Sequence, residues 1–183
     1  EHEAYYKAAE YAHKISPSAE AATGLGNMSY VKGDYNKAIE YYQEAINLST
    51  EDLDISDNLF RIAQVYYKKG EYTNVRKYCK ESLAKNPAQG QPHIMLGLVY
   101  AQAKISDDPT LQKAVYWASV DQFAKAKSVE PTEDMVEQAN KLIRTYSAYF
   151  PSKEEVFMHP DVEEGKSHYV GGWVSETTTV RSK

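Results

Sequence analysis

The stretch GDYNKAIEYYQEAINLST at 33–50 is nearly rewritten as GEYTNVRKYCKESLAKNP at 70–87, an offset of 70 − 33 = 37 residues. Each copy opens on a glycine, an acid and a tyrosine: Gly33, Asp34, Tyr35 and Gly70, Glu71, Tyr72. An apolar position follows three residues after the tyrosine (Ala38, Val75), then an aromatic or thiol and a small residue at helical spacing. Self-similarity at this period restricts the chain to stacked helical units. No such unit can bury its apolar face alone, so its neighbour must cover it.

The residues ahead of each copy supply the other half of the unit. AEAATGLGNMSYVK (19–32) and SDNLFRIAQVYYKK (56–69) each read as a first helix with a small residue, Gly26 or Ala63, where two helices must touch. Gly33 and Gly70 then stand where a left-handed residue closes that helix. The second helices carry Ala38, Tyr41, Tyr42, Ala45 and Leu48, and Val75, Tyr78, Cys79, Ser82 and Leu83, at helical spacing. Pro87 ends the second unit, and Thr50 holds that place in the first.

These residues resemble the tetratricopeptide repeat. Leu25-Gly26, Tyr30, Gly33-Asp34-Tyr35, Ala38, Tyr42 and Ala45 match its pattern, as do Leu59, Ile62-Ala63, Tyr66, Gly70-Glu71-Tyr72 and Pro87. Val75, Cys79 and Ser82 are conservative departures. The resemblance implies an all-α fold, a right-handed superhelix of antiparallel helix pairs (an α-α solenoid). The repeats are expected at 19–52, 56–89 and 90–131.

The third unit starts with GQPHIMLGLVYAQA, where Gly97 follows Ala63 by 97 − 63 = 34 residues. Its ending, Phe123, Ala126 and Pro131, is displaced: Pro131 follows Pro87 by 131 − 87 = 44 residues, ten beyond the usual period of about 34. With Asp107 or Asp108 as cap and Pro109 in the first turn, the spacing predicts one lengthened helix over 109–128.

The ends are read in the same way. EAYYKAAEYAHKISPS, with Ala12 and Pro17 in the family's places, reads as the second helix of an earlier repeat (1–17). The chain opens at Glu1 inside that helix, as a fragment of a longer protein would. Thr132 caps a helix over 132–150 whose stripe of Met135, Ala139, Leu142, Ile143 and Tyr146 should cap the solenoid. From Pro151 the tail (151–183) loses helical periodicity. HYVGGWV predicts a hairpin at 168–175 turning on Gly171-Gly172, with Val170 facing Trp173 and Tyr169 facing Val174. Phe157, Met158, Tyr169 and Trp173 are the expected docking residues of this tail, which either seals the core, lies in the binding groove as an internal ligand, or docks a partner. Residues 144–183 also bear a faint similarity to the endings of uncharacterised bacterial tetratricopeptide proteins of the cell envelope. That similarity leans localisation toward the periplasm or envelope, with the cytoplasm the alternative.

Composition narrows the function classes. The 183 residues hold 21 basic and 26 acidic side chains, a formal charge of −5, which gives nucleic acid no basic stripe to bind. Sixteen tyrosines against four phenylalanines suggest aromatic packing with polar tips at the surface. The lone cysteine, Cys79, lies on an apolar helix face and reads as a buried, inert thiol. No apolar run approaches the roughly 18 residues of a membrane span. His159, Asp161, Glu163, Glu164 and His168 lie within ten residues but match no closed metal site, and no nucleophile-plus-base arrangement appears. The expectation is a chain without catalysis, cofactor or metal. Nothing in the sequence sets its oligomeric state.

In the family, first helices line a concave wall that binds a peptide or helix of a partner. The face opposite the packing residues gives Thr23, Asn27, Tyr30 and Val31; then Asp57, Phe60, Gln64, Tyr67 and Lys68; then Ile94, Leu98, Ala101 and Gln102. Of these, Asn27, Tyr30, Phe60, Gln64, Tyr67, Lys68, Ile94, Leu98 and Gln102 are the expected partner-binding residues, though packing between repeats could claim them instead. Some members hold a partner's terminal carboxylate with a Lys/Asn/Arg clamp. Here Asn27 fits one place and Arg61 lies nearby, but Thr23, Gln91 and Met95 occupy places that need basic or amide groups. The resemblance therefore implies no such clamp, and the mixed groove suits a hydrophobic peptide. The chain is then either an interaction scaffold, or a structural, self-capped end of a longer solenoid whose groove its own tail covers.

Overall fold

The computed structural model describes residues 2–183, with side chains from Glu3 onward. The chain divides into two compact units, Glu1–Pro87 and Ala88–Lys183.

In the first unit, α1 (His2–Ile15) packs on α2 (Ala19–Lys32), which pairs with α3 (Tyr35–Leu48); α4 (Asp52–Lys69) packs on α3 and pairs with α5 (Tyr72–Lys85). Local chemistry sets the boundaries. The Ser18 hydroxyl accepts from the Ala21 amide and the Asp34 carboxylate from the Lys37 amide, filling donors that the first turns of α2 and α3 leave open. Gly33 and Gly70 end α2 and α4 at φ 80° and 73°, a conformation that side-chain-bearing residues rarely adopt. Ala38, Tyr42, Ile62 and Val65 form the core, with Tyr30, Tyr35, Tyr66 and Tyr78 packed around it.

The second unit begins with α6 (Gln91–Tyr100), only 10 residues against 14 in α2 and 18 in α4. The single helix expected over 109–128 is instead a turn, α7 (Pro109–Gln112), followed by α8 (Ala114–Val129). The reason lies in Gln112. Its side chain accepts from the Ile105 and Ser106 amides and donates to the Ala103 carbonyl. The added residues are thus spent in a pinned loop after a shortened α6, while α8 reaches only 16 residues. Then α9 (Glu133–Ser147) lays Met135 and Ala139 over Ile94, Phe123 and Ala126.

The tail completes this unit. A short helix α10 (Lys153–Met158) precedes β1 (Ser167–Val170), which pairs antiparallel with β2 (Glu176–Thr179). Val170 faces Glu176 and Tyr169 faces Thr177, so the loop is five residues long and not the expected Gly-Gly turn. Trp173 and Val174 leave the ladder because the core takes them: Val174 is fully buried, and the Trp173 ring lies 6.0 Å from that of Tyr100. Val170 and Val180 are buried with it, and both strands pack against α8. Trp117 Nε1 donates to the Arg181 carbonyl, and the Arg181 guanidinium returns a bond to the Trp117 carbonyl and pairs with Asp121 at 2.8 Å.

Candidate functional site

In the first unit a cleft of about 570 Å3 lies between α2 and α4, lined by Glu20, Thr23, Asn27, Asp54, Asp57, Asn58 and Arg61. The spacing of these residues puts them there. On α2, positions 20, 23 and 27 share one helical face; on α4, so do 54, 57, 58 and 61. Thr23 Oγ1 donates to Asn58 Oδ1 at 2.9 Å, and Asn58 Nδ2 donates to the Asp54 carbonyl. Asn27 Oδ1 accepts from both Arg61 at 3.0 Å and the Tyr42 hydroxyl at 2.9 Å. These bonds hold the side chains in place across two helices, leaving the Nε of Arg61 buried without a hydrogen-bond partner among the described residues. Three carboxylates against one guanidinium make the cleft acidic.

The residues expected to meet a partner do not all line such a surface. Asn27, with Thr23 and Asp57, lines the cleft. Tyr30 is packed: its ring lies 5.9 Å from Tyr35, at the edge of the core. Phe60 and Gln64 are half-buried, while Tyr67 and Lys68 are exposed near the end of α4. In the second unit, Ile94 is 3 % exposed, inside the core that α9 covers, and Leu98 packs against the same cluster. Ile94 is thereby closed to a partner, while Leu98 stays half-buried. Gln102 lies past the end of α6, exposed in the turn. The α2–α4 cleft itself is polar, while Val31, 85 % exposed, and the half-buried Phe60 lie outside its lining. Asn58 and Arg61 were missing from the expected set, although the polar repeat at 54, 58 and 61 on α4 was a readable signal.

Of the four residues expected to dock the tail, three do not seal the core. Phe157, Met158 and Tyr169 are 86 %, 73 % and 61 % exposed. Tyr169 alternates with the buried Val170 and so faces outward, its hydroxyl 3.0 Å from that of Ser175. The valines Val156, Val162, Val170, Val174 and Val180 dock the tail, and Trp173 joins them half-buried on Tyr100.

The tail's ionisable residues separate. His159 lies 3.3 Å from Asp108, and its Nδ1 accepts from the Asp161 amide. His168 stands edge-on to Trp117, and burial lowers its pKa. Among the described residues no three His, Cys, Asp or Glu side chains are placed to hold a metal ion. Burial raises the Cys79 thiol pKa well above its ordinary value.

A sequence profile described as "Tetratricopeptide repeat" matches residues 19–52, the α2–α3 pair. The TPR2B-domain:pHsp70 complex of yeast Sti1 overlays 71 % of this chain and 96 % of that one with a TM-score of 0.57 at 17 % identity. Residues 19–52 are a tetratricopeptide repeat, and the chain shares the fold of tetratricopeptide domains. Among curated proteins it is similar to the photosystem I assembly protein Ycf3 of Prochlorococcus marinus (strain NATL1A), at 32 % identity over 68 residues. That match covers 37 % of this chain and 39 % of the relative's length. The Ycf3 of Synechococcus elongatus is 28 % identical over 128 residues, 64 % of this chain and 74 % of the relative. A cell-envelope location draws no support from these names. Among the described residues no helix is long and apolar enough to cross a membrane. A tetratricopeptide fold implies a scaffold for protein–protein interaction.

Proposed function

We propose that the protein is a non-catalytic scaffold whose α2–α4 cleft takes a segment of a partner protein. The observation that carries this reading is the ordered polar lattice of Thr23, Asn58, Asn27 and Arg61. These side chains are already fixed, so a partner's backbone or polar groups can bond to them with little further loss of side-chain entropy. The excess of Glu20, Asp54 and Asp57 over Arg61 favours a segment bearing lysine or arginine. Assembly, which the name of the Ycf3 relatives gives for photosystem I, is a task that such a scaffold suits. The tail serves as a structural cap on α8.

The test is capture from an extract of the source organism, with the wild type beside Asp54→Lys/Asp57→Lys. Both acids are exposed, so the fold tolerates the reversal. A partner enriched by the wild type and lost on reversal supports the cleft; equal enrichment on both contradicts it.

A further inference from the structure

The helix α10 is held at both ends and still presents Phe157 to solvent. Six residues do not sustain a helix by themselves, so outside contacts must fix it. At its start, the Ser152 hydroxyl accepts from the Glu155 amide while the Glu155 carboxylate accepts from the Ser152 amide. The same carboxylate takes Lys113 Nζ at 2.5 Å. At its end, His159 lies 3.3 Å from Asp108, the cap of α7. Val156 is buried beneath it. In this fixed frame Phe157 and Met158 remain 86 % and 73 % exposed.

A cleft of about 980 Å3 opens beside them, walled by Val156, Phe157 and Val162. Lys153, Glu154, Glu163, Glu164 and Ser182 line the rest; Glu163 pairs with Lys166 at 3.9 Å and Glu164 accepts from the Ser182 amide, leaving three carboxylates against two ammonium groups. That volume suits a small ligand or a few inserted side chains. The geometry points to a second docking site here, for a basic, apolar segment of a partner protein. One aromatic or aliphatic side chain enters between Phe157 and Val162, and flanking lysine or arginine residues face Glu154, Glu163 and Glu164. Exposed ion pairs contribute little each, so contact with Phe157 carries the affinity and the carboxylates select the sign of the partner. Because α10 is already fixed, binding does not have to order it. The site belongs to the segment after the repeats, outside the helix pairs that define the family.

Random dodecapeptides displayed on phage, selected on the full chain, test this directly, with Phe157→Ser and Glu154→Lys/Glu163→Lys as counter-screens. All three residues are exposed, and none lines the α2–α4 cleft. The expected winners hold an apolar residue beside lysine or arginine. As synthetic peptides they weaken by roughly tenfold or more on Phe157→Ser, the usual result of removing an interface anchor, and weaken on the charge-reversed variant and with added salt. Winners that are acidic, or that bind Phe157→Ser equally well, overturn the proposal. So does a dimer in sedimentation velocity that Phe157→Ser disperses, since a second copy then covers this face.

Discussion

The ring of Tyr42 occupies the space that a side chain at Gly26 would need: a Cβ built there stands 2.5 Å from two carbons of the ring. Tyr42 is 2 % exposed and its hydroxyl is tied to Asn27, so it has nowhere to move. This contact joins the first and second helices of a repeat, and it links the core of the unit to the floor of the cleft.

Gly26→Ala sets two effects against each other. Alanine in a helix interior gains about 1 kcal/mol over glycine, whereas forcing atoms into a packed site costs about 1–3 kcal/mol. At 2.5 Å against an immobile ring the clash wins. The expected outcome is a net loss of about 1–2 kcal/mol, read as a lower urea midpoint at unchanged slope. A raised midpoint would contradict the packing described.

Asp121 anchors the end of the chain. It accepts from Thr178 Oγ1 and pairs with Arg181. Asp121→Ala removes both and leaves a half-buried guanidinium short of partners, at a cost of about 1–3 kcal/mol. Amide hydrogen exchange should speed up through β1 and β2 while α2 and α3 keep their protection. Unchanged exchange in the strands would show that the valines alone hold the tail.

The Glu155 carboxyl has a pKa lowered from 4.5 to about 2, first by Lys113 and then by the Ser152 amide. A carboxylate whose folded pKa lies below its unfolded value favours the folded state above the unfolded pKa. That advantage fades as pH falls from about 4.5 toward 2. The attachment of α10 should therefore loosen across this window, and the effect should vanish in Glu155→Gln. Carbon-13 NMR of the carboxyl checks it. A midpoint near the ordinary glutamate value would remove the Lys113 contact from the account.

The helix pairs were legible because glycine, small residues and aromatics recur at fixed offsets, and offsets are what stacking constrains. The insert in the third repeat was not. The extra length was visible, but the three bonds of Gln112 that pin the loop are side-chain choices within ten residues that no periodicity records. The hairpin was read in the right region with the wrong loop, because burial of Val174 and the Trp173–Tyr100 contact outweighed a shorter turn. At the candidate site, Ile94 and Phe60 looked alike in sequence. Only α9, folding back over Ile94, separates them.

Cys79 is fully buried and burial holds its thiol protonated. Its reaction with a thiol reagent should wait on opening of α5, remaining negligible in native buffer and becoming complete in denaturant. Rapid stoichiometric labelling of the native protein would contradict the packing of α5 on α4.

The central claim is that the α2–α4 cleft receives a partner protein. The most direct measurement places a photo-crosslinking amino acid at Thr23, inside the cleft, and separately at Glu40, exposed on α3, in cells of the source organism. The account predicts a light-dependent adduct with a discrete protein from position 23 and none from position 40. Adducts from position 40 alone, or from neither, would contradict it.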